Sequence, residues 1–150
     1  MRLVLFNPEI PPNTGNVARL CAAMRVPLHL IEPLGFSLAD RYLKRAGLDY
    51  WPHVDLHVHP DLDHFLRETA PARLVLSSAR GGAPAHRFAF EPGDAIVLGP
   101  ETTGLPGEVL ALSEHLVRIP IKGQVRSLNM STAAGILLHE ALRRTGELDD

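Results

Sequence analysis

The chain of 150 residues has one cysteine, Cys21. A lone thiol excludes an internal disulfide and a multi-cysteine zinc site. Cys21 falls in an apolar helical stripe, which predicts a small core residue. No apolar run approaches the roughly 20 residues a membrane-crossing helix needs. Met1 to Phe6 is too short an apolar run to read as a signal peptide. These absences lead to the expectation of a cytoplasmic, reducing compartment. Excess charge of one sign is lacking too: the formal net charge is -2, and only 21% of residues are charged. That balance does not by itself favour a nucleic-acid binder. Two local basic clusters can still meet phosphates: Arg41, Lys44 and Arg45, then Arg118, Lys122 and Arg126. Low charge with a hydrophobic fraction of 45% argues against extensive disorder. The length predicts one domain, residues 1–150, with a real core.

Common ligand signatures are also missing. There is no GxGxxG after the first strand and no GxxxxGK[ST], so ordinary Rossmann and P-loop readings are weak. There is no GxSxG elbow of a hydrolase. Internal repeats, low-complexity tracts and linkers are absent. His53, His57, His59 and His64 crowd one region, and His57 and His59 share a strand face. They sit among Asp and Pro on an expected exposed edge without a supporting ligand pattern. No metal is expected.

What is present alternates. Apolar runs at Leu3–Phe6, Leu28–Ile31, Leu74–Ser77 and Ala95–Leu98 read as buried strands. Val54–Val58 is a weaker strand, and His115–Pro120 the last. A first helix starts near Asn13 or Thr14, either a good N-cap, and carries Val17, Leu20, Cys21 and Met24 at i, i+3, i+4 and i+7. Shorter helices are expected over Ala39–Arg45, Asp61–Glu68 and Pro106–Leu112, and Gly81–Pro84 is a loop. The final helix runs from about Leu128 to Arg144, with Ala134, Leu137, Leu138, Ala141 and Leu142 as its core face and Gly146 closing it. Strands alternating with helices predict an α/β fold, a mostly parallel sheet with helices on both faces.

Three loops share one style, each following a strand and leading into a helical pattern. They are Asn7–Asn16, Leu98–Pro106, and Ile119–Ile121 followed by Arg126–Ser131. Loops rich in Gly, Pro and Asn at strand ends are where α/β proteins hold ligands, so the three are expected to converge. Pro100 and Pro120 lack an N–H, which leaves carbonyls as the polar groups on offer.

Taken in order, these segments resemble the small tRNA 2'-O-methyltransferases of the knotted SPOUT class, which act at the wobble cytidine or uridine. Pro8–Asn16 with Arg19-Leu20-Cys21 looks like the first motif, and Gly99-Pro100-Glu101 with Gly104-Leu105-Pro106 like the second. Ile119-Pro120 with Arg126–Ser131 looks like the third, and Ile31–Phe36 and Arg45–Tyr50 like the family's middle. The resemblance covers nearly the whole chain. It implies a C-terminal deep trefoil knot, a homodimer, an S-adenosylmethionine cofactor and a tRNA anticodon stem-loop as substrate. By position it assigns cofactor binding to Ser77, Gly99, Ile119 and Ser127. Glu101 belongs to the same set, either as a nucleotide contact or as a loop anchor. Arg126, Lys122 and Asn129 are the substrate-binding candidates, Asn129 also being a candidate N-cap of the last helix.

Arg19 and Asn13 are the catalytic candidates. A ribose 2'-oxygen must be aimed at the methyl group and its developing charge stabilised. A guanidinium is a rigid fork suited to ribose or phosphate. With an ordinary pKa above about 12 it is a poor general base. Orientation and electrostatic stabilisation are therefore the expected roles of Arg19, with proton acceptance left open. Asn13 can equally be only a cap. Two residues depart from the family pattern: Thr103 stands where many relatives have Arg, and His139 where they have Tyr. Glu140 is expected to pair with Arg144 at i, i+4. Competing readings are a non-catalytic RNA-binding module of the same fold, a 2'-O-methyltransferase acting on ribosomal RNA, and a flavodoxin-like module.

Overall fold

A computed structural model describes residues 1–39 and 50–148. The helix expected over Ala39–Arg45 and the Arg41, Lys44 and Arg45 cluster fall essentially outside that range. The strands are β1 (Arg2–Phe6), β2 (Leu28–Ile31), β3 (Leu56–His59), β4 (Arg73–Ser77), β5 (Ala83–Pro84), β6 (Asp94–Leu98) and β7 (Leu116–Arg118). They form one seven-stranded sheet in the order β3-β2-β1-β6-β4-β7-β5. Every pairing is parallel. Among the described residues the α-helices are α1 (Pro11–Met24), α2 (Leu62–Thr69), α3 (Gly107–Leu110) and α4 (Met130–Thr145).

Alternation within the strands builds a core on each face. Leu3, Leu5, Leu28, Leu30, Ile96 and Leu98 pack with Val17 and Cys21 of α1 and Leu137 and Leu138 of α4. Val4, Ile31, Ala95 and Val97 face the other way, onto Phe65 of α2 and Val109 of α3. Helices therefore cover both faces, as the period of the sequence requires. The five core positions expected on the last helix are all buried, and Cys21 is buried with its thiol pushed up to about 12 by desolvation. At the amino end of the sheet the buried Asp94 accepts Arg73 Nε and Nη2, both at 2.8 Å, and the Glu91 N–H at 2.8 Å. These bonds hold the Arg73 guanidinium above its ordinary pKa.

Several boundaries move. α1 starts at Pro11, not Asn13, and its N-cap Ile10 offers no capping side chain. Pro11 and Pro12 fit the first turn because its N–H groups have no intrahelical partner to lose. Pro106 is the N-cap of α3 rather than its first residue. Ala83 and Pro84, expected as loop, make a short strand against β7. Glu140 pairs with Arg143 at 2.7 Å, three residues on, instead of Arg144.

Candidate active site

Because the strands are parallel, their carboxyl ends share one edge, and β1, β4, β6 and β7 deliver their loops there. β1 leads to β2 and β3 on one side, whereas β4 lies on the other side of β6. Such a reversal of winding opens a crevice. A cavity of about 580 Å³ sits at this edge. Ser77 lines it from the end of β4, Ser78 and Arg80 after that strand, Gly99 to Leu105 after β6, and Ile119, Ile121, Arg126 and Ser127 after β7. Leu110, Leu128 and Met130 add apolar wall. The volume and the mix of apolar walls with a few polar groups suit a small-molecule ligand.

The first loop does not line the cavity. It is tied to the second by two reciprocal carboxylates. Glu101 accepts the Glu9 N–H at 2.9 Å on Oε1 and the Ile10 N–H at 2.6 Å on Oε2. Glu9 Oε1 in turn accepts the Thr102 N–H at 3.0 Å and hydroxyl at 2.7 Å, which holds the Glu9 carboxyl below its ordinary pKa. Glu101 thus supplies the anion that Ile10 cannot at the positive end of α1. Asn13, 7% exposed, extends the tie: its amide donates to Glu101 Oε2 at 3.4 Å and its oxygen accepts from Asn129 at 3.1 Å. Asn129 Oδ1 caps α4 through the N–H groups of Ser131, at 2.9 Å, and Thr132, at 3.3 Å. A chain of amides and carboxylates therefore runs from the second loop through α1 to the start of α4.

This geometry sorts the expected residues. Ser77, Gly99, Glu101, Ile119, Ser127 and Arg126 all border the cavity. Glu101 does so with both oxygens already used by the first loop, which favours the anchoring role. Asn13 and Asn129 have their side-chain groups engaged with each other and with their neighbours, so their arrangement is that of braces. Lys122 is exposed and is not among the lining residues. Arg19 is exposed on α1, also outside the lining. Its guanidinium lies 4.5 Å from the centre of the Tyr50 ring. Gly99 is needed for a reason other than room for a ligand. A Cβ there would collide with the backbone of Gly104 and Leu105, which fold back beneath it.

Sequence reasoning missed Ser78, Arg80 and Thr102. The run after β4 has the same strand-then-loop style as the other segments and could have been included. Of the histidines expected on an exposed edge, His53 and His57 are exposed and His59 is not. β3 is an edge strand, but His59 is 5% exposed, and His29 of β2, 4% exposed, joins it. His29 Nδ1 lies 2.8 Å from His59 Nε2, and His59 Nδ1 lies 2.9 Å from His64 Nδ1. Desolvation, with His57, His59 and Arg2 nearby and Asp55 opposing them, lowers His29 to about 4. His59 is lowered for the same leading reason. Among the described residues no group of three or more His, Cys, Asp or Glu is arranged to hold a metal.

A parallel sheet with a ligand-sized cavity roofed by loops at the carboxyl ends of its strands is the signature of an α/β ligand-binding enzyme. Its family follows from comparison with known proteins. The SpoU rRNA Methylase family matches residues 1–139, and the chain belongs to that family. It is 48% identical to a tRNA (cytidine(34)-2'-O)-methyltransferase of Burkholderia ambifaria, over 96% of this chain and 95% of that one. It is 47% identical to the protein of the same name from Methylovorus glucosotrophus, over 95% and 94%. A solved structure described as "Structural insights into the 2-OH methylation of C/U34 on tRNA" is 51% identical, with a TM-score of 0.90, covering 95% of this chain and 94% of that one. The chain is a methyltransferase.

Proposed function

We propose that this enzyme methylates the ribose 2'-hydroxyl of the wobble nucleotide, cytidine or uridine, in the tRNA anticodon loop, with S-adenosylmethionine as donor. The observation that carries the reading is one cavity lined by the second and third of the expected loops, with the first tied to the second through Glu101, in a chain whose curated relatives near 47% identity carry that tRNA activity in their names. Those relatives favour tRNA over the ribosomal RNA named by the family. The cavity fits the cofactor in size and in donor set. Ser77, Gly99, Ile119 and Ser127 would hold it through backbone and hydroxyl groups, with Leu98, Leu105 and Leu110 as apolar wall. When bound, S-adenosylmethionine supplies an electrophilic methyl group.

This chain's residues would do the rest. Arg80 and Arg126 at the rim, with Lys122 nearby in sequence, offer positive charge to the RNA backbone. Arg19 would orient the 2'-oxygen and stabilise its developing charge. The brace of Glu101, Asn13 and Asn129 keeps the loops in register. Since Arg19 of one chain stands outside that chain's cavity, the reading works with a homodimer in which a partner lies against α1 and α4. A concavity of about 490 Å³ beside α4, bordered by Pro120, Gly135, Ile136 and His139, and the 41% exposed Ile136 support such a contact. The reading takes residues 1–150 as one catalytic domain in the cytoplasm, with α4 threaded in a deep trefoil knot. Its packing onto α1 and β6 is compatible with that path.

Purified protein, S-adenosylmethionine and unmodified tRNA are incubated, and digested nucleosides are read by mass spectrometry. The expected product is a 2'-O-methylated pyrimidine nucleoside that maps to the wobble position. Methylation of ribosomal RNA alone, or cofactor binding with no methylated RNA, overturns the proposal. Arg19→Ala is expected to lower turnover on the order of a hundredfold or more while calorimetry finds cofactor affinity unchanged.

A further inference from the structure

Tyr50 is not explained by the cofactor cavity or by the brace between the loops. It belongs to no strand and does not line the cavity. It precedes a 3-10 turn, Trp51–His53, that packs against α1. The turn is closed by the His53 N–H donating to the Tyr50 carbonyl at 2.8 Å and the Val54 N–H to Trp51 at 3.1 Å. Trp51 and Val54 pack against the main core. Tyr50 is therefore attached to a short, tied segment, half-buried, with its ring under the guanidinium of Arg19 at 4.5 Å. Arg19 itself projects from an exposed position of α1, and among the described residues it enters no ion pair.

An unheld arginine on a helix surface samples many rotamers, and ordering it at the moment of reaction costs rate. A ring face attracts the guanidinium through its quadrupole and leaves the edge N–H groups pointing outward, available to oxygen ligands. The geometry points to Tyr50 as the positioning residue of Arg19: its ring face holds the guanidinium in a preset direction so that the fork can meet the ribose or its phosphate. This rests on the proposed role of Arg19. The ring, not the hydroxyl, does the work, so phenylalanine replaces it and an aliphatic side chain does not.

The test uses full-length Tyr50→Phe and Tyr50→Leu, each alone and with Arg19→Ala, with wild type alongside. Turnover and KM for tRNA, cofactor affinity by calorimetry and thermal midpoint are measured. Tyr50→Phe is expected to stay within about twofold of wild-type kcat, and Tyr50→Leu to lose about tenfold in kcat, the range a cation–π contact supports. Cofactor affinity and midpoint should match wild type in both. In the Arg19→Ala background Tyr50→Leu should cost nothing further. Equal loss in the Phe and Leu variants, wild-type kcat in Tyr50→Leu, or a full additional loss on top of Arg19→Ala overturns the inference while leaving the methyltransferase reading intact. Wild-type turnover in Arg19→Ala overturns the role of Arg19 and this inference with it.

Discussion

Replacing Glu101 by glutamine keeps the side chain's size and turns one acceptor oxygen into an NH2 donor. Both oxygens of Glu101 face donors: the Glu9 N–H at 2.9 Å and the Ile10 N–H at 2.6 Å. Whichever way the amide turns, one of those N–H groups meets another donor. A hydrogen bond to a charged group is worth about 1.5–3 kcal/mol. Glu101 is only partly buried, and water can recover some of this, so a loss of about 1–2 kcal/mol is expected. For a chain of this size that lowers the thermal midpoint by about 2–8 °C. The larger effect falls on function. The first loop carries the start of α1 and hence Arg19, and the second roofs the cavity. With the tie loosened, cofactor affinity and turnover should both fall, because the two loops no longer hold one spacing. Calorimetry, methyl incorporation into tRNA and thermal melting are read on the same preparation. Thr102→Ala, which removes the hydroxyl half of the reverse tie to Glu9, should act in the same direction and less strongly. If Glu101→Gln melts within about 1 °C of wild type and binds and turns over normally, the brace is not what sets the site.

Gly99→Val should destabilise the protein and abolish cofactor binding together, since the branched side chain displaces Gly104 and Leu105; binding lost with an unchanged melt would mean that the side chain blocks only the ligand. Asp94→Ala leaves Arg73 beside an emptied buried site and should cost about 3–5 kcal/mol in denaturant unfolding. Stability should also fall on acidification. His29 is held down at about 4, so below its ordinary 6.5 the unfolded chain takes up a proton that the folded chain refuses. The loss therefore begins near pH 6.5 and grows until about pH 4, on the order of 2–3 kcal/mol from this group, and His29→Phe should flatten that slope in unfolding measured against pH.

The sequence by itself determined the alternation of elements, the α/β class and the loops that matter. Those are local properties. The two-residue period of Leu3–Leu5 against Val4 and the helical spacing of Ala134, Leu137 and Leu138 follow from backbone geometry, and Gly and Pro mark the strand ends. The motifs, in their order along the chain, carry the family resemblance without the fold. The tertiary structure decided how polar groups are spent. Asn13 looked like a helix cap and is a bridge, because Glu101, distant in sequence, takes the capping role at α1. Gly99, expected by position at the cofactor, also makes space for its own loop. The histidines looked like an exposed edge set, yet His29 from the neighbouring strand draws His59 into the interior. Each of these depends on a partner outside the local window, and no periodicity along the chain carries the identity of a residue that folding brings within 3 Å of another.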